Sequence, residues 1–326
     1  MTESAVATYF RPRRLAHSNL WVNDIAKSED FYRDTCGLMI EFTEPDLEAT
    51  FMGVGRTQHD LGMMRTTGGK DRLGRDGSVQ LPGTVGLSPG LNHIAWEVEN
   101  EAELVQAYRN LRRDGIAVDT AMDHQIAHSV YLFDPDGNYL EFYCDLMPDW
   151  RSVVDGDMDL LTSRWDPEAA EGFTDSRVPH DFALRINEAA PIHPHRVTHV
   201  TLSTTQPEVL CDFYSRVGGM TVVDRSGPVT YLRCSADEYE FGLAVVEGPV
   251  SRYEYVSFEI RDDRSVDDTV AALTSRGRQP ERIVDLPWKS SVFLRDPDGL
   301  TSEWYVRKAA PREPASVPRD QIRYAV

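Results

Sequence analysis

Tyr131-Leu132-Phe133-Asp134-Pro135-Asp136-Gly137, with Glu141 four residues on, returns 162 positions later as Phe293-Leu294-Arg295-Asp296-Pro297-Asp298-Gly299, with Glu303 four residues on. Asp-Pro-Asp-Gly between apolar runs reads as a tight turn joining two strands. Working outward, His17 leads Phe31-Tyr32 by fourteen residues and Gly37 by twenty, and His199 leads Phe213-Tyr214 and Gly219 by the same intervals. The chain is thus two copies of one pattern. At the hairpin's offset His93 falls on Tyr255, so the first copy reads His17, His93, Glu141 and the second reads His199, Tyr255, Glu303. Two imidazoles and one carboxylate are the donor set of a non-haem Fe(II) site with open positions. Only the first copy keeps all three.

Strand and helix patterns alternate around these landmarks. Residues 1–13 read as a loose arm. Leu15–Val22 is strand-like, Asp24–Cys36 an amphipathic helix that Gly37 ends, and short strands follow at 39–43, 49–54 and 60–65. The Gly-, Ser- and Pro-rich segment 66–90 reads as a long loop. A second unit runs from strand 92–98 through helix 101–113 to the hairpin 129–145. Third and fourth units begin near Arg196 and Glu254, with helices at 207–217 and 265–276. The expected fold is α+β: four βαβββ modules paired into two domains, because a four-stranded sheet with a helix on its back leaves its other face bare. The boundaries read as 1–145 for the domain carrying the metal ligands, 146–195 for a connector, 196–310 for the degenerate domain and 311–326 for a surface tail. Period-two alternation turns Ile94, Trp96, Val98, Leu140 and Phe142 toward the helix, and His93, Ala95, Glu97, Tyr139, Glu141 and Tyr143 toward a cleft.

With 326 residues, two domains are the natural division. Acidic side chains outnumber basic ones 53 to 34, a net charge of −19, which repels nucleic acid and anionic membrane surfaces and argues against both as partners. Cys36, Cys144, Cys211 and Cys234 have no zinc-like spacing and read as buried reduced thiols. With no apolar run of signal-peptide or membrane-span length, the expected compartment is the cytoplasm.

The residues His17, Asp24, Ser28, Phe31, Tyr32, Gly37 and Leu38, the strand Asn92-His93-Ile94-Ala95 and the run Tyr131 to Tyr143 resemble the vicinal oxygen chelate (glyoxalase/extradiol dioxygenase-like) superfamily. The closest likeness is to type I extradiol ring-cleaving dioxygenases of the catechol 2,3-dioxygenase kind, strong over 14–145 and weaker over 196–306. The resemblance implies an Fe(II) cofactor, with Mn(II) as the alternative, a catechol-type substrate, O2, ring opening beside rather than between the hydroxyls, and a homo-oligomer. In the better-known two-domain enzymes the metal sits in the C-terminal domain; here the ligands fall in the first, which weakens any transfer of substrate identity.

Three further residues take roles from this resemblance. A hairpin turning at Asp136 pairs Phe133 with Tyr139 and Tyr131 with Glu141, so the Tyr131 hydroxyl stands beside the ligand carboxylate and, by likeness, hydrogen-bonds the substrate. His124 resembles the family's acid–base histidine, a role suited to an imidazole. The segment is two residues shorter than in the catechol enzymes, which leaves His128 as the alternative. His59 reads as a pocket residue, and Trp21, Phe133, Tyr139 and Tyr143 as aromatic residues near the cleft. Histidines 180, 193 and 195, in the connector, read as solvated. Two alternatives remain open: a metal-dependent isomerase or lyase of the same superfamily, for which Asp60 would be the extra carboxylate, and a non-catalytic small-molecule-binding protein.

Overall fold

The computed structural model describes residues 8–74, 77–154, 156–157 (backbone alone), 162–179, 182–236 and 240–326. The first half comprises β1 (Pro12–Val22), α1 (Ile25–Asp34), β2 (Met39–Glu44), β3 (Ala49–Gly53), β4 (Leu61–Arg65), β5 (Gly90–Val98), α2 (Glu101–Arg113), β6 (Thr120–Asp123), β7 (Ala127–Phe133) and β8 (Tyr139–Asp145). The second comprises β9 (Pro194–Thr204), α3 (Pro207–Arg216), β10 (Thr221–Ser226), β11 (Val229–Arg233), β12 (Leu243–Glu247), β13 (Arg252–Ile260), α4 (Val266–Ser275), β14 (Arg282–Asp285), β15 (Lys289–Arg295) and β16 (Thr301–Arg307). These are the four expected βαβββ modules. Their strands run β2-β3-β4-β1-β5-β8-β7-β6 in one sheet and β10-β11-β12-β9-β13-β16-β15-β14 in the other, the same order twice.

The helices form where the pattern places them, and α1, α2 and α4 begin on side-chain caps. Asp24 accepts from the Lys27 amide, Asn100 from the Glu103 amide, and Ser265 with Asp268 makes a reciprocal cap. Ile94, Trp96, Val98, Leu140 and Phe142 pack with Leu104 and Leu111 of α2 in the main core, as the alternation requires. The hairpin register is also as read: Tyr131 opposes Glu141 and Phe133 opposes Tyr139.

The repeated motifs join the two halves. The Tyr32 hydroxyl donates to Asp296 Oδ2 at 3.4 Å, and Tyr214 donates to Asp134 Oδ2 at 3.0 Å. Each half thus gives a tyrosine to the other half's Asp-Pro-Asp-Gly turn. The two repeated glycines follow the same crossing. Gly37, at φ +80°, lies where a Cβ would meet the Ile192 carbonyl at 2.4 Å, and a Cβ on Gly219, at φ +69°, would strike the Phe10 carbonyl. No other residue fits there without strain.

Three segments depart from expectation. The described part of the arm is anchored, residues 1–7 lying outside the described residues: Tyr9 and Phe10 donate backbone bonds to Arg216 and Val217, and the Phe10 ring stacks 3.8 Å from Phe142. The long loop contains a small hairpin pairing Arg72–Leu73 with Val79–Leu81. The last residues are not at the surface. Ile322 and Val326 pack with Val229, Tyr231 and Phe241, and Tyr324 packs with Tyr255 and Phe293, so the segment fills the second sheet's concave side. An open curled sheet needs such a cover. In the first half the connector serves instead, pairing with β2 at Gly156–Asp157 and with β6 at Ser163–Arg164, on opposite rims. All four cysteines are buried and none forms a disulfide. Among the described residues no helix is long and apolar enough to cross a membrane.

Candidate active site

The three central strands of the first sheet carry one side chain each into a common cavity: His17 from β1, His93 from β5 and Glu141 from β8. A bulge between Leu15 and His17 lets β1 turn its imidazole inward. His17 Nε2 lies 3.3 Å from His93 Nε2 and 3.1 Å from Glu141 Oε2, and His93 Nε2 lies 3.0 Å from the same oxygen. Donor atoms about 2.1 Å from one ion and at right angles stand about 3 Å apart, so the trio fits one face of an octahedral site.

The surrounding bonds orient these donors. Asn92 Oδ1 is 2.6 Å from His93 Nδ1, which sets the proton there and frees Nε2. Ser129 Oγ and the Tyr131 hydroxyl donate to Glu141 Oε1 at 2.5 and 2.7 Å, leaving Oε2 to face the imidazoles. Burial lowers the His17 pKa against the pull of Glu141, so the ring is neutral at pH 7. Burial alone would raise the Glu141 pKa, but the bonds and charge of His17 and His93 outweigh it and hold the carboxyl well below its usual range. A neutral imidazole and an ionised carboxylate are the forms that ligate.

His124 is delivered by a tight turn. Gln125 adopts φ +67°, its amide is held by Asp123 Oδ1 at 2.7 Å, and the His124 amide bonds the Ala127 carbonyl. The ring points into the cavity, with Nε2 3.0 Å from the Tyr131 hydroxyl and Nδ1 3.2 Å from Thr162 Oγ1. Burial keeps its pKa below the ordinary histidine value. His128, one step out of phase, faces the other way. Its Nδ1 meets Glu101 at 2.6 Å and its ring stacks on Trp165, so it is no part of the cavity wall.

The cavity is bounded by the trio, His124, Tyr131, Tyr143, Asn19, Gln58, His59, Thr162 and the apolar group Phe42, Leu47, Phe51, Met64, Ile126 and Ala127, with Glu44 among them. It holds about 80 Å³ of free room. His59 belongs to it, as expected, its ring 3.8 Å from that of His17. Of the four aromatic residues read from the sequence, Tyr143 alone lines the cavity; Phe42 and Phe51 take the place given to Trp21, Phe133 and Tyr139. A bulge between Ile40 and Phe42 shifts the phase of β2 and hides this from simple alternation. Thr162, in the connector, had no signal at all.

Asp60 is committed elsewhere. Its Oδ2 accepts from the Val54 amide at 2.8 Å, and burial raises its pKa to about 6. His193 is buried rather than solvated and lies 3.1 Å from Asp263, whose carboxylate, with that of Glu188, also pairs with Arg261. That cluster already has its cation. His195 lies 3.3 Å from Arg56, and His180 falls outside the described residues.

The second half cannot assemble the same trio. Tyr255 turns its hydroxyl to the Arg323 carbonyl. Lys289 Nζ sits 2.6 Å from Glu303 Oε1, and Ser257 Oγ donates to Oε2 at 2.8 Å. His199 Nε2 is 3.8 Å from Glu303 Oε2, and burial holds its pKa well below the ordinary value.

The model of the Glyoxalase/Bleomycin resistance protein/Dioxygenase superfamily matches residues 14–142 and 196–303. Biphenyl-2,3-diol 1,2-dioxygenase 3 of Rhodococcus globerulus is 27% identical over 132 residues, 40% of this chain and 63% of that protein. Catechol-2,3-dioxygenase of Bacillus subtilis (strain 168) is 28% identical over 161 residues, 48% of this chain and 52% of that one. Each alignment therefore spans less than two thirds of the relative. In fold, the chain is similar to homoprotocatechuate 2,3-dioxygenase from Brevibacterium fuscum in its anaerobic complex with 3,4-dihydroxyphenylacetate, with a TM-score of 0.63 at 14% identity, over 94% of this chain and 84% of that one.

Proposed function

The chain belongs to the Glyoxalase/Bleomycin resistance protein/Dioxygenase superfamily, and on that footing we propose that it is an extradiol dioxygenase. It opens a catechol-type ring with O2 at a divalent iron or manganese held by His17, His93 and Glu141. The observation that carries this reading is the convergence of two imidazole nitrogens and one carboxylate oxygen, 3.0 to 3.3 Å apart, at the floor of a largely apolar cavity. The names of the curated relatives support the reaction class. The commitment of the Asp60 carboxylate to the Val54 amide argues against an isomerase or lyase that needs a fourth acidic ligand.

A divalent metal held by His17, His93 and Glu141 would supply open coordination positions and redox capacity for a diol and dioxygen. The protein's own residues do the rest. Ser129 and Tyr131 hold Glu141 Oε1 and so aim Oε2. The Tyr131 hydroxyl, which donates to Glu141 Oε1, also stands 3.0 Å from His124 Nε2, which puts it at the cavity wall where a substrate oxygen can meet it. Thr162 Oγ1 can accept from His124 Nδ1–H, leaving Nε2 as the base that takes a substrate hydroxyl proton and later returns it. Phe42, Phe51, Leu47 and Met64 present apolar surface to the ring and exclude water.

The test is to load the protein with Fe(II) without oxygen, add a catechol and admit air. Oxygen uptake with a yellow ring-opened product is expected. No uptake with any catechol, under conditions where iron is bound, would refute the proposal.

A further inference from the structure

Glu44, at the end of β2, is a buried carboxyl in the cavity wall that keeps one oxygen unpartnered among the described residues. It is 5% exposed, and Oε2 has no partner among the described residues. The residue precedes the short turn Pro45–Leu47, yet its side chain makes no capping bond there. It shares the wall with Phe42, Leu47, Phe51 and Met64, and among the described residues no Lys or Arg lines the cavity. A carboxyl held this way destabilises the empty protein unless something reaches it. Strand β2 lies three strands from β1 in the sheet, so Glu44 reaches the cavity from a part of the sheet apart from the strands that carry His17, His93 and Glu141.

We propose that Glu44 selects catechols bearing a hydrogen-bond-donating substituent, above all a protonated amine, on the side of the ring away from the two hydroxyls. This rests on the reading of the cavity as a catechol site. A cationic or N–H-bearing group meets the free carboxyl oxygen and supplies the charge that burial withholds. An anionic substituent finds no cation among the described residues of the wall to offset its buried charge. An alkyl substituent leaves Glu44 as it is in the empty cavity.

The test reads affinity rather than turnover. Anaerobic calorimetry on the protein, with and without Fe(II), would compare 4-(2-aminoethyl)catechol, 4-ethylcatechol and 3,4-dihydroxyphenylacetate. In the iron-loaded protein the amine should bind about tenfold tighter than the ethyl compound or better, and the acid weakest. Glu44→Gln, close in shape and checked for an unchanged fold by its far-ultraviolet spectrum, should bring the amine and ethyl compounds to within about threefold of each other. Equal affinities in the natural protein, an advantage that survives Glu44→Gln, tightest binding of the acid, or no binding of any of the three would overturn the proposal. The ordered affinities without oxygen uptake would sink ring cleavage and leave Glu44's role standing; uptake without the order would do the reverse.

Discussion

The two clefts of this chain are built from the same strands in the same order, yet one gathers two imidazoles and a carboxylate that could hold a metal ion and the other carries its own cation. In the first, the small Ala127 leaves room beside Glu141. In the second, the matching position holds Lys289, whose ammonium reaches Glu303. Burial lowers the Lys289 pKa, and Glu303 opposes that shift. The difference teaches that a buried carboxylate needs a positive partner, and that a tethered ammonium and a divalent ion are alternative answers to that need.

The largest expected effect breaks the comparison outright. His93→Ala should reduce bound iron to background and abolish turnover, whereas His199→Ala should leave both within about twofold, read from metal analysis and oxygen uptake. If His199→Ala removes the metal, the two clefts have been assigned the wrong way round. Ala127→Lys should convert the first cleft toward the second: a folded protein with an unchanged far-ultraviolet spectrum that no longer retains iron.

The reverse intervention tests the second cleft. Lys289→Met should lower stability by about 3–5 kcal/mol, because Glu303 is left buried without its partner, and adding Glu303→Gln should recover most of the loss. Denaturant unfolding measures both. Tyr131→Phe copies the second half's Phe293 into the first; it should lower kcat about a hundredfold while iron content stays near one per chain.

The smallest effect concerns Glu44, which the second copy replaces with Ser226. Burial, with Asp46, raises the Glu44 pKa from the usual 4.5 to about 8. The folded chain therefore keeps a proton that the unfolded chain releases, and stability falls as pH rises between those values. Glu44→Gln should be more stable than the natural protein above pH 8, by on the order of 1–3 kcal/mol, and no more stable below pH 5. Equal melting temperatures at both pH values would show that the carboxyl is solvated rather than buried.

The metal trio was legible because the duplicated hairpin fixes its register and strand alternation does the rest, so His17, His93, Glu141 and Tyr131 follow from spacing. His124 was legible from its likeness, and its turn separates it from His128 by placing the two on opposite faces. Phe42 and Glu44 were not, since a bulge resets the phase of β2. Phe10, Ile322 and Tyr324 looked like ends of the chain because their burial depends on surfaces that exist only after folding. Lys289 could have been found by aligning the copies column by column, where it stands against Ala127.

The crossed tyrosine–aspartate bonds carry one more consequence. Asp134 and Asp296 are each capped by a phenol from the opposite lobe, and burial raises the pKa of both, that of Asp296 to about 6. Pulling the lobes apart would strand both acids at once, so the chain should melt in a single cooperative transition. Iron held in one lobe would then protect the other, which binds none, and a chelator would loosen both together.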